Sequence, residues 1–510
     1  MHENPRRHAA LDMSPEEFRR IGHALVDRIA EFLTWIQDRS NPVTRAERPG
    51  QIRTLLRNSP LPEKGTPAEE LLSQVSTLLF DHSLFNAHPR FWGYITSPAA
   101  PVGVLGDFLA SAVNPNVGAY DLSPVATEIE RQTIRWIAEM IGYPASCGGI
   151  LVSGGNMANF VCFLAARKAK VPWDVRKEGM GEARSGRLRI YCSSETHTWI
   201  HKAADLFGLG HNVIAWVPAD EKQRMGTEVL RNQISADLKQ GMIPLMVVGA
   251  AGTVGTGATD PLPEIGAICR EHNIWFHVDG AYGGFGAALP EASADLKGLR
   301  DADSVAVDPH KWLYAPLEAG CALVRDPKAL LETFSYHPAY YRFDDHADEG
   351  LTNFHELGLQ NSRGFRALKV WLALRQAGRG GYERMIREDC GIAAELYRSL
   401  GSHPEIEPLT CNLSITTFRY APPDLRGADK EGEEYLNKLN TALLARIQSG
   451  GKMYPSNAIV GGKFAIRACV VNFRTTVEDI LGLPEVVVAA GKEIDEEMRR
   501  TKTPGQNSFV

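Results

Sequence analysis

Between residues 148 and 325 the chain repeats one pattern: a short apolar run rich in Val and Ile, a stretch with helical spacing, then another run. The runs at 149–153, 188–193, 245–251, 274–279, 304–307 and 320–324 are apolar along most of their length instead of alternating. A strand with one wet face alternates, so these read as strands covered on both sides. Helical segments at 156–168 and 263–272 separate them, and that succession builds a mostly parallel sheet with helices on its faces. The fold class is therefore α/β, and ligands of such sheets sit beyond the carboxyl ends of the strands.

A chain of 510 residues has room for more than this unit. Ser14-Pro15-Glu16-Glu17 has the features of a helix start: a capping hydroxyl, proline at the first position and a closing carboxylate. Phe18, Ile21, Leu25, Ile29, Phe32 and Ile36 then share one face as far as about residue 38, a face that needs an intrachain core or a second subunit. Residues 40–67 read as an extended linker. Beyond 325, a polar stretch at 335–353 precedes a helix at 362–377, and 385–495 mixes helices with strands that include 413–418 and 464–471. This predicts an N-terminal helical segment at 1–85, a large α/β domain at 86–384 and a small α/β domain at 385–510.

Charge narrows the partners. With 61 acidic and 55 basic residues interspersed, the net charge of -6 leaves no basic face for nucleic acid or an anionic membrane. Eight cysteines without a C-x-x-C pair predict reduced, mostly buried thiols. Arg6, Arg7 and His8 are not followed by an apolar segment, and no run of about 18 apolar residues occurs. The expectation is a soluble cytoplasmic protein.

Polar residues gather where the apolar runs end. Ser153-Gly154-Gly155-Asn156 leads from a strand into a helix, where free N–H groups and the helix dipole can hold an anion, or where the chain merely turns. The run 274–278 ends in Asp279-Gly280, either a turn or a carboxylate that needs a cationic partner once buried. Asp308-Pro309-His310-Lys311-Trp312 closes 304–307. A lysine there is a solvated surface group, or one that a low-dielectric pocket deprotonates into a nucleophile toward an aldehyde.

These blocks, together with His88-Pro89, Ser123-Pro124, Thr127-Glu128 and Phe365-Arg366-Ala367-Leu368-Lys369, stand in an order and spacing that resemble a known family. That family is the group II pyridoxal-phosphate-dependent decarboxylases, and the likeness is nearest to the aromatic-L-amino-acid decarboxylases. The resemblance implies the aspartate aminotransferase-like fold (fold type I), pyridoxal 5'-phosphate as cofactor, and a homodimer with its active site at the interface. In that picture residues 1–85 serve dimerisation and 86–384 bind the cofactor.

It also implies roles. Lys311 forms the Schiff base with the pyridoxal aldehyde, and Asp279 pairs with the protonated pyridine nitrogen so that the ring can accept electrons when CO2 leaves. His197 stacks on the ring opposite Ala281. Gly155 and Asn156 hold the phosphate with His310 nearby, and Thr253 is a further cofactor contact. Two positions depart from the family pattern: Asp308 stands where Asn is frequent, and Val254 where a second Thr is common. Tyr340, with Tyr341 as the second choice, is the loop tyrosine that protonates the substrate's alpha carbon. Relatives with Phe at that place release an aldehyde, ammonia and hydrogen peroxide instead of an amine. The same loop holds His337, His346 and His355, whose nine-residue steps match no usual ligand spacing, so no metal is expected.

Trp92, Tyr94, Ile95, Gly118 and Tyr120 are the predicted substrate wall, apolar and aromatic, with no arginine evident for a second carboxylate. Ile95 and Gly118 stand where animal aromatic decarboxylases carry Phe, which implies a roomier pocket. Trp is therefore the first substrate expected, followed by Tyr, Phe or DOPA. The competing readings are an aromatic aldehyde synthase on the same scaffold, a nicotinamide-dependent oxidoreductase, which the missing G-x-G-x-x-G counts against, and a non-catalytic binding protein, which Lys311 and Asp279 count against.

Overall fold

A computed structural model of the chain describes residues 9–56, 59–336, 351–427 and 429–502. Helix α1 (Pro15–Trp35) starts as its sequence directs, the Ser14 hydroxyl accepting the Glu17 N–H at 3.1 Å. Its apolar face is only partly used: Ile21 is buried, while Phe18 and Val26 are exposed. Two more helices, α2 (Ala68–His82) and α3 (Pro101–Val113), expose Leu71, Leu72, Val75 and Leu79, and Leu105, Phe108, Leu109 and Val113. Arg39 ties this region to the far end of the chain through an ion pair with Asp479 at 2.8 Å.

The large sheet has seven strands: β1 (Gly148–Val152), β2 (Leu188–Ser193), β3 (Ile214–Val217), β4 (Ile243–Ala250), β5 (Trp275–Asp279), β6 (Ser304–Val307) and β7 (Gly320–Val324). Their order is β1-β7-β6-β5-β4-β2-β3. Strands β3, β2, β4, β5 and β6 run parallel, and β7 is antiparallel to both β6 and β1. The sheet is thus mostly parallel, with one reversed strand that shows in no sequence pattern because pairing direction is a tertiary property. Helix α4 (Gly155–Lys170) lies against it and is buried continuously from Ala158 to Ala166, as a helix apolar all round must be.

Helix α5 (Ala367–Leu400) carries the chain toward a second sheet, so residue 385, the expected boundary, falls inside a helix instead of a loop. Within it Gly378 leaves the helical conformation (φ +64°). Packing against the second sheet carries the helix on beyond it. That sheet has the antiparallel order β10-β11-β9-β8, built from β8 (Ile406–Asn412), β9 (Ile415–Tyr420), β10 (Ser456–Val460) and β11 (Lys463–Cys469). Helices α6 (Lys430–Ser449) and α7 (Leu483–Lys502) share its core through Leu439, Leu443 and Val487, packed with Leu396, Phe418 and Ile466. All eight cysteines are free, and five are buried. Among the described residues no helix is long and apolar enough to cross a membrane, and no group of three or more His, Cys, Asp or Glu is placed to hold a metal.

Candidate active site

The carboxyl ends of the parallel strands open into a cavity of about 720 Å³. The β1–α4 turn, the segments after β2, β4, β5 and β6, Tyr94 to Thr96, and Ser456, Asn457 and Arg467 from the small sheet line it. Parallel strands place all these ends on one edge, which is why residues far apart in sequence meet here.

Asp279 closes β5. Its Oδ2 accepts the indole N–H of Trp199 at 2.8 Å and the amide of Asn159 at 3.3 Å, and its Oδ1 accepts the Ala281 N–H at 3.1 Å. Lys311 lies on a short helix (Pro309–Trp312) just after β6, with Nζ 3.0 Å from Asp308 Oδ2. Asp308 is buried, its Oδ1 has no hydrogen-bond partner among the described residues, and His310 Nε2 is 3.8 Å from its Oδ2. His310 donates from Nδ1 to the Ala319 carbonyl at 2.7 Å, and burial pushes its pKa down. Burial likewise lowers that of His197, opposed by the Asp279 charge; its Nδ1 accepts the Trp199 backbone N–H at 3.3 Å.

The Lys311 segment is anchored from behind. Trp312 stacks on Tyr282 with centroids 5.0 Å apart, and the Tyr382 hydroxyl donates to the Leu313 carbonyl. Asp389 on α5 accepts the Trp312 indole N–H at 2.8 Å and the Tyr314 hydroxyl at 2.6 Å. Burial raises the Asp389 pKa to about 7, against an ordinary value near 3.8. The folded state therefore keeps a proton that the unfolded chain loses, so Asp389's contribution to stability is complete below about pH 4 and declines as pH rises to about 7. Asp389→Asn keeps an acceptor for both donors and removes this slope, on the order of 4 kcal/mol across the interval. Denaturant unfolding of both proteins from pH 4.5 to 7.5 measures it; parallel profiles contradict it.

One cavity thus brings together Lys311, Asp279, His197, Gly155, Asn156, Thr253, Ala281, His310, Tyr94 and Ile95. Thr253 is almost fully buried, and its hydroxyl is engaged with Thr256 at 3.0 Å. Three positions predicted for the substrate wall lie elsewhere. Trp92 is fully buried in the small-sheet core and donates its indole N–H to Thr475. Gly118 packs so tightly on Asn361 that a Cβ would come within 2.2 Å of its carbonyl oxygen. Tyr120 lines a separate hollow with Glu128, Gln132 and Asn353. Tyr340 and Tyr341 lie outside the described residues.

Arg467, on β11, went unnoticed in the sequence although a charge inside the apolar run Phe464 to Val471 was the available signal. It is 2% exposed and donates from Nη1 to the Tyr94 carbonyl at 2.9 Å and to Ser456 Oγ at 3.0 Å. Among the described residues its Nε and Nη2 have no partner, although it lines the cavity. A buried guanidinium with two free nitrogens is a site for a carboxylate or phosphate.

An amine, an acid, a glycine turn at a helix start and a partly unpaired guanidinium around one cavity define an enzyme that handles an anionic, carbonyl-bearing ligand. The profile of the "Pyridoxal-dependent decarboxylase conserved domain" matches residues 49–420, and the chain belongs to that family. It is 34% identical over 485 residues to an aromatic-L-amino-acid decarboxylase of Bacillus atrophaeus, covering 95% of this chain and 97% of that protein. It is 30% identical over 478 residues to a phenylacetaldehyde synthase of a Rosa hybrid cultivar, covering 92% of each. The crystal structure of Oryza sativa TDC with PLP and tryptamine superposes with a TM-score of 0.86 at 27% identity, over 96% of this chain and all of that one. The protein is a fold type I, pyridoxal-phosphate-dependent amino-acid decarboxylase, a carboxy-lyase, which sets aside the nicotinamide and non-catalytic readings.

The residues present fit that cofactor. Gly154 has φ +130°, and a Cβ on Gly155 would come 2.7 Å from Asp308 Oδ2 and 3.3 Å from the Ala281 methyl, so the turn is a cradle only glycine leaves open. Helix α4 begins there without a side-chain cap, leaving its first N–H groups for a phosphate.

Proposed function

We propose that the enzyme decarboxylates an aromatic L-amino acid to the arylalkylamine and CO2, L-Trp first, with Tyr, Phe or DOPA as further substrates. The observation that carries this reading is Lys311 and Asp279 on neighbouring strand ends, in a cavity where Arg467 holds two unpaired nitrogens. Bound pyridoxal phosphate supplies an aldehyde that joins the substrate's amine and a cationic ring that takes up the electron pair left by CO2. Asp279 keeps the ring nitrogen charged, Lys311 holds the cofactor between turnovers, and His197 and Ala281 bound the ring. Gly155 and Asn156, with His310 close by, hold the phosphate, and Thr253 is a lesser contact. Arg467 grips the substrate carboxylate, and Tyr340 delivers the proton to the alpha carbon. The net change is loss of CO2 and gain of one proton at that carbon.

Arg467→Met is expected to raise KM for the amino acid roughly ten- to hundredfold, the value of one charged hydrogen-bonding group, with cofactor affinity unchanged. Equal losses in both would place Arg467 on the cofactor instead.

Tyr94 and Ile95 form the near wall, while Gly118 and Tyr120 reach a substrate only from a second copy of the chain. A homodimer supplies that copy and covers the exposed apolar residues of α1, α2 and α3. Residues 1–85 serve dimerisation, 86–384 bind the cofactor, 385–510 form the small domain, and the enzyme works in the cytoplasm. Initial rates with L-Trp, L-Tyr, L-Phe, L-DOPA and L-Glu test the substrate class. Aromatic substrates lead if the reading is right, and glutamate leading contradicts it. The likeness to a phenylacetaldehyde synthase supports aldehyde release as the second reading.

A further inference from the structure

Behind Asp279 runs a chain of hydrogen bonds whose direction follows from the acceptor-only carboxylate at one end and the donor-only indole at the other. His277 and Asp279 are two residues apart on β5, so both side chains point to one face, and α4 covers it. Asn159 on α4 spans the two: its Oδ1 is 2.7 Å from His277 Nε2, and its Nδ2 is 3.3 Å from Asp279 Oδ2. On the other side of the ring, His277 Nδ1 is 2.8 Å from Ser304 Oγ, which in turn accepts the Trp275 indole N–H at 2.8 Å. His277, Ser304 and Asn159 are all buried.

We propose that His277 and Asn159 are positioning residues for Asp279: His277 carries its proton on Nε2 and so holds the Asn159 amide with its NH2, not its oxygen, toward the carboxylate. This rests on Asp279 being the partner of the cofactor's ring nitrogen. An indole N–H can only donate. Ser304 Oγ receives from Trp275 and still has its own proton for His277 Nδ1, while the Asp279 carboxylate takes the Asn159 NH2 and leaves the Asn159 oxygen to receive from His277 Nε2. Burial pushes the His277 pKa down to about 4, so the ring is neutral and one nitrogen carries its proton. The opposite tautomer would turn the Asn159 amide over and set its oxygen against the Asp279 carboxylate. His277 also braces the second donor, packing edge-to-face on Trp199 with centroids 5.7 Å apart. Both donors meet Oδ2, and the Ala281 N–H fixes Oδ1, so the plane of the carboxylate is set before any cofactor arrives.

Neutron diffraction of the wild-type holoenzyme reads the tautomer directly. A deuteron on Nε2 and none on Nδ1 is expected, and the reverse overturns the proposal. Three variants test the consequence: Asn159→Leu, His277→Phe and His277→Gln, the last of which can still donate to Asn159. The first two are expected to weaken pyridoxal phosphate binding to the apoenzyme about tenfold and to lower kcat with KM unchanged, while His277→Gln stays close to wild type. Melting of each apoenzyme shows whether it is folded. If Asn159→Leu and His277→Phe bind and turn over as wild type does while Asp279→Asn loses both, the positioning role is wrong and the reading of Asp279 stands. If Asp279→Asn is itself unaffected, the reading of Asp279 falls and the proposal with it.

Discussion

Lys311→Ala is expected to abolish turnover, with kcat lowered at least about a thousandfold, because among the described residues no other amine lines the cavity to bond an aldehyde. The substitution also leaves Asp308 buried without the Lys311 ammonium, beside His310 Nε2 at 3.8 Å, whose pKa burial lowers. The double variant Lys311→Ala, Asp308→Asn removes that stranded charge and separates lost chemistry from lost stability. Borohydride reduction followed by peptide mapping gives the direct readout: wild-type enzyme retains the cofactor on the peptide containing Lys311, and the variant retains none. Label on a different lysine, or full activity of the alanine variant, contradicts the assignment.

Asp279→Asn is the second large effect. The amide keeps the shape and takes away the charge, so the ring nitrogen loses its counter-ion while the cavity stays filled. Removing one electrostatic stabiliser of a developing charge costs about 10²–10³-fold in kcat, and that is the expected loss. Substrate KM should change little if Asp279, as proposed, holds the cofactor and not the amino acid. A large rise in KM with kcat intact would mean that Asp279 faces the substrate.

Much of this was legible in the sequence because the chemistry sits where regular structure ends. The run 304–307 stands between Asp303 and Asp308, and the strand has those bounds, so the place of Lys311 followed at once. Strand β3 was missed: it is a four-residue edge strand, and its Trp216 is partly exposed. The predicted substrate wall divides for a local reason. Tyr94 has φ +53°, which interrupts the extended backbone, so Trp92 turns into the small-sheet core while Tyr94 and Ile95 reach the cavity. Arg467 was passed over because a charge on a strand reads as solvent-facing until the partner strands and the Tyr94 carbonyl are seen around it. The hydrogen bonds of Asn159 and Trp199 to Asp279 link positions at least 80 residues from it in the chain, which no one-dimensional pattern displays.

The most direct test of the central claim is a product balance. Purified enzyme with pyridoxal phosphate and L-Trp is assayed for CO2, tryptamine, indole acetaldehyde and hydrogen peroxide in the same reaction. Equal amounts of CO2 and tryptamine, without aldehyde or peroxide, are predicted. Aldehyde and peroxide rising in step with CO2 would make the enzyme an aldehyde synthase, and no CO2 from any aromatic amino acid would contradict the account outright.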